Sequence, residues 1–543
     1  MKITLSYTIC TATPWNPKFD SVGKFQYRER KTPEELKEER EMKKQLYGNS
    51  KVNPMRTETH SVFEKRGNTC YFLLGNWHRL KAALDKAQEP YTVEEHFDPT
   101  VTPDPDYSVL SGIELRAGQA EALASIVTAR TGMICSTIGF GKSFIIQLLC
   151  RMYPTLNILV VCPSGEVVKE LFRDINKVCP GQTGLLNIDN TEVSGKRIIV
   201  TTTKSMTKLD PKQVHLMLFD ECHSVGYNAT GSDVMKFCFC RRFGFTATPI
   251  RNQGDYLAME SLFGPVLQEI SFAQAEAAGS VTPISYHMFP LTKLNPKLAD
   301  LVEIQRPGED PEFVSQQDVK PWDQLTGRRK KRGFPDYLKN KLYYVSNYNR
   351  NDAIVDIFFR IKQAAPNTQI LIMVQSIEHM IRLCERIKCC AFMHGERGSL
   401  EKYKSKKGLE HVDMSRYEQS SKQLAETKSK FEKGIIKHAV STTVLKQGVN
   451  LSHLAVLIRA DAAVSGVPSV QIPGRLARLA ENKPMAYLID FTDNFCEDAS
   501  GRAKCRQREY KKQGWAEIDQ LETIIQNLKE TENVSDSEGQ TDK

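Results

Sequence analysis

The chain has 543 residues, of which 40% are hydrophobic and 26% charged, and its formal net charge is +9. This length predicts about two to four domains, and the composition is that of a globular protein rather than a disordered or fibrous one. No apolar run approaches the roughly 20 residues that a membrane-spanning helix needs, and the start of the chain lacks a signal peptide's apolar core. We therefore expect a cytoplasmic protein with no membrane partner.

The cysteine spacing argues against a structural metal site. No pair of CxxC motifs is present, and neither Cys238 and Cys240 nor Cys389 and Cys390 have the spacing of a zinc knuckle. We expect no structural zinc.

The first 110 residues predict a small α+β accessory domain. We expect a charged helix over Thr32–Gln45, a strand over Thr69–Leu74 and an amphipathic helix over Trp77–Lys86. Its aromatic residues would either stack on unpaired bases, which would make this a DNA-binding domain, or form the core of a small domain. These residues are Trp15, Phe19, Phe25, Tyr27, Tyr71, Phe72 and Trp77.

Two later blocks alternate short β-rich apolar runs with helical patterns, which is typical of doubly wound parallel α/β sheets. In residues 111–287 we expect strands over Gly132–Ser136, Ile158–Cys162, Ile198–Thr202, Leu216–Phe219 and Phe243–Thr246. In residues 345–495 we expect strands over Ile370–Val374, His438–Ser441, Ala455–Ile458 and Ala486–Asp490.

The remaining segments predict connections rather than domains. Residues 288–344 are rich in Pro, Asp and basic residues and predict a linker or small insertion that carries the basic run Arg328–Arg332. Residues 496–543 predict a helical extension whose end, from Glu530 to Asp542, is acidic and disordered.

A phosphate-binding loop is predicted where the first strand of residues 111–287 leads into a helix. Residues 136–143 read STIGFGKS, although Ser136 stands where such loops usually have a glycine. Glycines let backbone N–H groups face phosphates, while Lys142 would reach the β- and γ-phosphates and Ser143 would ligate Mg²⁺. The expected ATP contacts are Ser136, Thr137, Ile138, Gly139, Phe140, Gly141, Lys142 and Ser143.

A pair of carboxylates follows the apolar run Leu216–Phe219, in the segment Asp220-Glu221-Cys222-His223. A carboxylate at the C-terminal end of a buried strand lies at the ligand-binding edge of an α/β sheet. Asp220 can therefore hold Mg²⁺ through water, and Glu221 can orient or deprotonate the attacking water.

Together these motifs resemble those of the superfamily 2 helicases of the DExH type, which have two tandem RecA-like domains. The resemblance implies that Arg116 and Gln119, in the segment Leu-Arg-Ala-Gly-Gln, recognise adenine. It also implies nucleic-acid contacts and residues that couple hydrolysis to domain movement. The expected nucleic-acid contacts here are Pro163, Ser164, Thr202, Thr203 and Lys204, and the coupling residues are His223, Thr246, Ala247 and Thr248.

The second block carries the remaining motifs, so the resemblance spans about residues 113–492. The segment Ser441–Asn450 resembles the motif that touches nucleic acid through Thr442 and Thr443 and nucleotide through Gly448. Residues 471–478 read QIPGRLAR, the family's Gln-x-x-Gly-Arg-x-x-Arg. Arginines three apart share one helix face, so both could stabilise charge in the transition state. The resemblance implies catalytic roles for Gln471, Arg475 and Arg478.

Segments around the end of the first block resemble the branch that depends on double-stranded DNA, which includes XPB-like, type I and III restriction-type and phage UvsW-like motors. These segments are Arg251-Asn252, Leu262–Val266 and Gly279–Pro283. The branch implies an ATP-dependent helicase or translocase on duplex or branched DNA. Its partners would be other replication, recombination or repair proteins, in the host cytoplasm if a phage encodes the chain.

Two other functions stay open at this point. One is an ATP-dependent RNA helicase, and the other is a nucleic-acid clamp whose ATP site is only regulatory. The basic run Arg328–Arg332 is equally compatible with a grip on the duplex backbone and with a solvated linker.

Overall fold

The computed structural model describes residues 1–47, 55–137, 139–188, 190–247, 254–292, 301–304, 312–315, 340–406, 409–445, 451–463, 473–480, 483–495 and 497–541. They fall into two compact units, Met1–Ala278 and Gly279–Lys543. The predicted fold class, two RecA-like parallel α/β domains with a small N-terminal domain, is confirmed. Within the described ranges, no helix combines the length and the apolar character needed to cross a bilayer.

The N-terminal domain is a five-stranded sheet with a separate pair of antiparallel strands. Its elements in chain order are β1 (Lys2–Leu5), β2 (Cys10–Thr13), β3 (Lys24–Arg30), α1 (Pro33–Tyr47), β4 (Met55–Ser61), β5 (Glu64–Arg66), β6 (Thr69–Phe72), α2 (Trp77–Lys86) and β7 (Thr92–Glu95). The sheet order is β5-β6-β2-β1-β7, and β3 pairs with β4.

The aromatic residues of this domain are mostly core rather than a stacking surface. Each of five side chains is at most 8% exposed, namely Trp15, Phe19, Phe25, Tyr27 and Phe72. Rings that are buried in this way cannot receive a base, so the structure favours the core reading over base stacking for these five.

The first α/β domain is built on an eight-stranded sheet. The strands are β8 (Thr131–Ser136), β9 (Ile158–Cys162), β10 (Thr183–Leu186), β11 (Thr191–Glu192), β12 (Ile198–Thr202), β13 (Leu216–Asp220), β14 (Arg241–Thr246) and β15 (Val266–Ile270). The helices are α3 (Gln119–Thr128), α4 (Lys142–Met152), α5 (Gly165–Val178), α6 (Ala229–Met235), α7 (Tyr256–Phe263) and α8 (Phe272–Ala277).

The sheet order is β11-β10-β12-β9-β13-β14-β8-β15, and every pairing except that of β11 is parallel. Strands β8, β9, β13 and β14 are buried along their whole length. Central strands of a parallel sheet are covered on both faces, which is why their sequences are nearly continuous apolar runs.

The N-terminal domain is seated on helix α7 of the first α/β domain. The Asn76 amide donates to the Ser261 hydroxyl over 2.7 Å, and the buried Glu260 carboxylate pairs with Arg79 and His78. A Cβ at Gly75 would lie 2.2 Å from the Glu260 carbonyl oxygen, so only glycine permits this close approach. The two domains therefore form one unit.

The second α/β domain is built on a seven-stranded parallel sheet in the order β20-β21-β19-β22-β23-β16-β24. Its strands are β16 (Ile284–Phe289), β19 (Ile370–Met373), β20 (Ala391–Met393), β21 (His438–Ser441), β22 (Val456–Arg459), β23 (Ala486–Phe491) and β24 (Ala516–Glu517), and β17 (Leu301–Ile304) pairs with β18 (Glu312–Ser315) apart from it. The helices are α9 (Tyr348–Ala364), α10 (Ile377–Ile387), α11 (Ser421–Glu432), α12 (Glu497–Lys512) and α13 (Leu521–Thr541).

Two domain boundaries differ from those predicted from the sequence. Strand β16 pairs with β23 along its whole length, so residues 284–287 belong to the second sheet and not to the first block, which was expected to end at 287. The segment after 495 is not a mere extension, because β24 pairs with β16 and α13 buries Leu521, Ile524 and Leu528 in the second core. The tail that was expected to be disordered is helical as far as Thr541.

Candidate nucleotide site and nucleic-acid edge

Three neighbouring strands of the first sheet bring the predicted nucleotide residues to one edge. Strand β14 lies between β8 and β13, and its register pairs Thr246 with Cys135 and Phe245 with Asp220. Because the three strands are parallel, Ser136, Asp220 and Thr246 all leave the sheet at the same edge.

The loop after β8 has the backbone of a phosphate cradle. Gly139 and Gly141 have φ of 94° and 97°, a region that residues with a side chain rarely occupy, and α4 begins at the next residue, Lys142. The Lys142 ammonium donates to the carbonyl oxygen of Ser136 over 3.1 Å. The Ser136 hydroxyl is buried and has no hydrogen-bond partner among the described residues. The loop thus places the Lys142 ammonium and a hydroxyl without a hydrogen-bond partner among the described residues beside the N-terminus of α4.

Gln119 supports this loop from behind. Its Oε1 accepts from the Arg116 backbone N–H over 3.0 Å, and its Nε2 donates to the Phe140 carbonyl over 2.8 Å. A Cβ at Gly141 would lie 2.7 Å from that Nε2 atom, so the glycine also makes room for the amide. Gln119 is 2% exposed, whereas Arg116 is exposed. Gln119 therefore braces the loop, a role that the sequence did not indicate.

The two carboxylates after β13 differ in their surroundings. Burial, and next the negative charge of Glu221, raise the pKa of Asp220, while Lys142 acts in the opposite direction. Glu221 itself has φ 53° and ψ 48°, the left-handed region that a side chain makes costly. A residue held in this conformation is typical of functional turns, where the surrounding fold enforces it.

His223 connects the acidic segment to the segment after β14. Its Nδ1 lies 3.1 Å from Glu221 Oε2 and 3.1 Å from the Thr246 hydroxyl. This contact joins two of the predicted coupling residues, while Ala247 follows directly at the end of β14. Thr248 and Ile138 lie outside the described residues.

This edge suits a nucleotide triphosphate and its magnesium ion. Glycine N–H groups and the N-terminus of α4 attract phosphate, and Lys142 adds a positive charge. Within the described ranges no three His, Cys, Asp or Glu side chains cluster as a metal cage. Mg²⁺ does not need one, because it usually binds through one or two carboxylates, phosphates and water. The carboxylate of Asp220 and the hydroxyl of Ser143 supply oxygen ligands of the kind that Mg²⁺ prefers.

The predicted nucleic-acid contacts of the first domain also share an edge. Thr202 at the end of β12 pairs with Cys162 at the end of β9, so Pro163 and Ser164 lie beside Thr203 and Lys204. Ser164 is the N-cap residue directly before α5, and its hydroxyl is buried with no hydrogen-bond partner in the part of the chain described. Lys204 is exposed. An unmet hydroxyl and an exposed lysine are groups that bind phosphate oxygens.

In the second unit, the predicted residues lie at the ends of β21 and in a short turn before β23. The Thr442 N–H donates to the Met393 carbonyl over 2.9 Å, and Thr443 begins a short 3-10 helix. Arg475 lies within a 3-10 helix over Pro473–Ala477, with Arg478 one residue beyond it. Gly448 and Gln471 lie outside the described residues.

Two residues that hold this turn were not predicted. The Thr282 N–H donates to the Ala477 carbonyl over 2.7 Å, and its hydroxyl donates to the Arg478 carbonyl over 3.2 Å. The buried Lys483 ammonium donates to the carbonyls of Leu476 and Arg478. Thr282 lies in the singled-out segment Gly279–Pro283, but neither that segment nor the sequence around Lys483 specifies these backbone contacts, so only the tertiary structure reveals them.

Comparisons with known proteins agree with these motifs. Residues 112–251 match the family described as type III restriction enzyme, res subunit. The DNA 3'-5' translocase XPB2 of Sulfurisphaera tokodaii is 26% identical over 159 residues. That match covers 28% of this chain and 35% of the translocase, so the chain matches about a third of the length of that relative.

A solved structure with a similar fold has low sequence identity to this chain. Dbp5 of S. cerevisiae, bound to RNA and ADP BeF3, is 12% identical with a TM-score of 0.50, covering 78% of this chain and 95% of that one. UvsW of T4 is 12% identical, covering 96% and 98%, at a TM-score of 0.37 that establishes no shared fold. The Dbp5 likeness supports the fold alone. Residues 112–251 are therefore similar to the res subunit of type III restriction enzymes, and the sequence likeness of the chain lies with the restriction-type and XPB-like superfamily 2 helicases.

Proposed function

We propose that this chain is an ATP-dependent DNA translocase or helicase that moves along duplex DNA or remodels branched DNA. The observation that carries the proposal is the meeting of Lys142, Asp220 and the His223–Thr246 contact at one edge of the first sheet. That edge combines a phosphate cradle, a buried carboxylate and a contact between two strand ends.

In the proposed mechanism, Lys142 and the N-terminus of α4 hold the phosphates, and Ser143 and Asp220 hold Mg²⁺. Glu221 orients the attacking water and takes its proton. Bound ATP supplies the phosphoanhydride bond whose hydrolysis drives movement. Arg475 and Arg478 would stabilise charge in the transition state, a role worth about 10³–10⁵ in rate where such arginines are measured.

Coupling is proposed to run through His223. Its ring contacts both the Glu221 carboxylate and the Thr246 hydroxyl, so a change in charge around Glu221 reaches the segment that leaves β14. The nucleic-acid contacts proposed for the first domain are Pro163, Ser164, Thr202, Thr203 and Lys204. Those proposed for the second are Thr442 and Thr443, so that hydrolysis shifts one set of contacts against the other.

We propose DNA rather than RNA as the substrate because the chain has higher sequence identity to a DNA translocase than to the RNA-bound structure. The relative that is 26% identical is named a DNA translocase, whereas the RNA-bound structure is only 12% identical. Branched DNA as substrate, and with it a role in replication, recombination or repair, is part of the proposal.

The test is ATP turnover measured side by side on linear duplex, forked DNA, four-way junctions, single strands and RNA. We expect duplex or forked DNA to stimulate turnover and RNA to leave it near its basal rate. If RNA stimulates more than any DNA, the chain is an RNA helicase. If no nucleic acid stimulates turnover, the ATP site is regulatory and the motor function is wrong.

Variants of the site sharpen this test. Lys142→Ala and Glu221→Gln should each lower stimulated turnover by about 10²-fold or more, because each removes a group that acts on developing charge or the attacking water. Lys236→Ala, at an exposed lysine directly after α6 that pairs with Asp233, is the matched control and should keep wild-type turnover. Undiminished turnover in both site variants would contradict the assignment.

A further inference from the structure

Lys483 is a buried lysine whose three donors are all used by the protein backbone. It is 9% exposed, and its ammonium donates to the carbonyl oxygens of Ser452, Leu476 and Arg478 over 2.5 to 3.0 Å. An ammonium group has three N–H donors and no acceptor, so three carbonyls satisfy it completely. Buried lysines are rare because desolvating the charge is costly, which makes this arrangement worth explaining.

Two of the three carbonyls belong to the arginine turn, defined here as Pro473–Arg478. The C-terminal carbonyls of a short helix have no partner within it, and a cation at that end is favourable. Here Lys483 donates hydrogen bonds to the carbonyls of Leu476 and Arg478, while Thr282 donates to those of Ala477 and Arg478. The last three carbonyls of the arginine turn are thus all held from outside it.

The third carbonyl belongs to a different segment. Ser452 follows the stretch 441–450, which contains the proposed nucleic-acid contacts Thr442 and Thr443, and Leu451 beside it is buried. One side chain therefore ties the backbone of the arginine turn to the chain that leaves those contacts. A methionine or leucine would fill the same volume without tying the two segments together.

We propose that Lys483 is a positioning residue: by bonding the carbonyls of Ser452, Leu476 and Arg478, it fixes the arginine turn against the backbone at Ser452 for ATP hydrolysis. The inference rests on the proposed function. Burial, and next the neighbouring Arg478 charge, lower the pKa of Lys483 to about 8, so its ammonium form is present at neutral pH.

The test compares Lys483→Met with wild type in DNA-stimulated ATP turnover. Methionine keeps the length and removes all three donors. We expect kcat to fall by roughly 10–100-fold, since misplacing catalytic groups by about 1 Å costs rates of that order. KM for ATP should stay within about threefold, because the phosphate cradle lies in the other unit and is untouched. Lys437→Met, an exposed lysine of the same unit, is the control and should keep wild-type kcat.

A conservative variant separates positioning from simple stability. Lys483→Arg keeps the donors and should recover most of the kcat that Lys483→Met loses. If both variants lower kcat and thermal midpoint equally, Lys483 is structural and the proposal is overturned. The same holds if Lys483→Met keeps kcat within twofold of wild type.

Two further measurements keep the outcome clear. Should Lys483→Met fail to fold, Thr282→Val removes one bond to the same Arg478 carbonyl, and an unchanged kcat there overturns the proposal. Wild type and Arg478→Ala are measured alongside. A wild type with no stimulated turnover refutes the proposed function itself, whereas an active wild type with an equally active Lys483→Met refutes only the role of Lys483.

Discussion

The two α/β domains each bury an aspartate near the C-terminal end of a strand, but only the second domain pairs that aspartate with a buried arginine. Asp220 ends β13 without an arginine or lysine within ion-pair distance in the described part of the chain. Asp490, near the end of β23, accepts from Arg506 Nε over 2.7 Å and Nη2 over 2.9 Å and from the Tyr510 hydroxyl over 2.7 Å.

The pKa values follow the same division. Burial and the charge of Glu221 raise the pKa of Asp220. Burial also acts to raise the pKa of Asp490, but the charge and hydrogen bonds of Arg506 outweigh it and hold that pKa below its ordinary value. The charge of Asp490 is therefore compensated by Arg506, whereas burial and Glu221 disfavour the charged form of Asp220.

Buried arginines differ between the domains as well. Those of the second pair with acids, Arg350 with Asp493 and Arg459 with Asp461. In the first domain, Arg241 donates to the carbonyls of Ile126 and Ala129 instead. Of the two buried strand-end carboxylates, Asp220 is therefore the candidate ligand for an external cation, in line with the proposed function.

The largest expected effect is the loss of the internal pair. Asp490→Asn removes the carboxylate that accepts two hydrogen bonds from the buried Arg506 guanidinium and leaves it only the longer contact with Asp493, which should lower the free energy of unfolding by about 3–5 kcal/mol. Urea unfolding followed by circular dichroism measures it. Asp356→Asn, at a carboxylate 63% exposed and paired with Arg360, is the control and should change the free energy of unfolding by less than about 1 kcal/mol. Equal effects would remove the distinction between the two aspartates.

A smaller effect is expected from acid in the second domain. His379 is buried, its Nε2 lies 2.9 Å from Asn351 Oδ1, and burial, then the charges of Arg350 and Arg382, lower its pKa from 6.5 to about 3. Because the folded pKa is the lower one, the stability it contributes is present above pH 6.5 and is lost as the pH falls toward 3. Between pH 7.5 and 5 this amounts to about 2 kcal/mol.

The variant His379→Gln tests that assignment. Glutamine cannot titrate, so the variant should lose less stability than wild type between pH 7.5 and 5, and urea unfolding at both pH values measures the gap. His411→Gln, at an exposed histidine, should keep the wild-type slope. His438, whose pKa burial lowers to about 4, remains in every variant and contributes equally to each. Identical slopes for His379→Gln and wild type would refute the prediction.

The smallest effect on stability is expected at Asp220. Asp220→Asn removes a buried charge that forms no ion pair with an arginine or lysine among the described residues, so the free energy of unfolding should stay unchanged or rise by up to about 1 kcal/mol. ATP turnover should be lost in the same protein, because a neutral amide holds Mg²⁺ weakly. Asp174→Asn, at a surface carboxylate paired with Lys177, should keep both properties. A large loss of stability at Asp220 would mean that its charge is structural.

Much of this architecture is predictable from local sequence. Strands β9, β12 and β21 have the predicted bounds, because each is a short apolar run between turns. The loop around Lys142 and the acids Asp220 and Glu221 are equally local. Because the strands are parallel, these residues all lie at the same edge of the sheet.

The remainder depends on partners far away in the chain. Strand β16 looks like a last strand of the first block, yet it pairs with β23, about two hundred residues later. Arg506 and Lys483 look like surface charges, since nothing near them in sequence indicates Asp490 or the carbonyl of Ser452. The left-handed backbone of Glu221 is imposed by its surroundings and is likewise not a local property.

The contact between the N-terminal domain and helix α7 limits how this protein can be divided. Removing residues 1–110 would strip Glu260, only 3% exposed, of both Arg79 and His78 and leave a bare carboxylate on a newly exposed face. The N-terminal domain is therefore not an interchangeable module. A chimera that exchanged it with a relative would have to exchange α7 as well, and a protease cut near residue 110 would leave two fragments that stay associated.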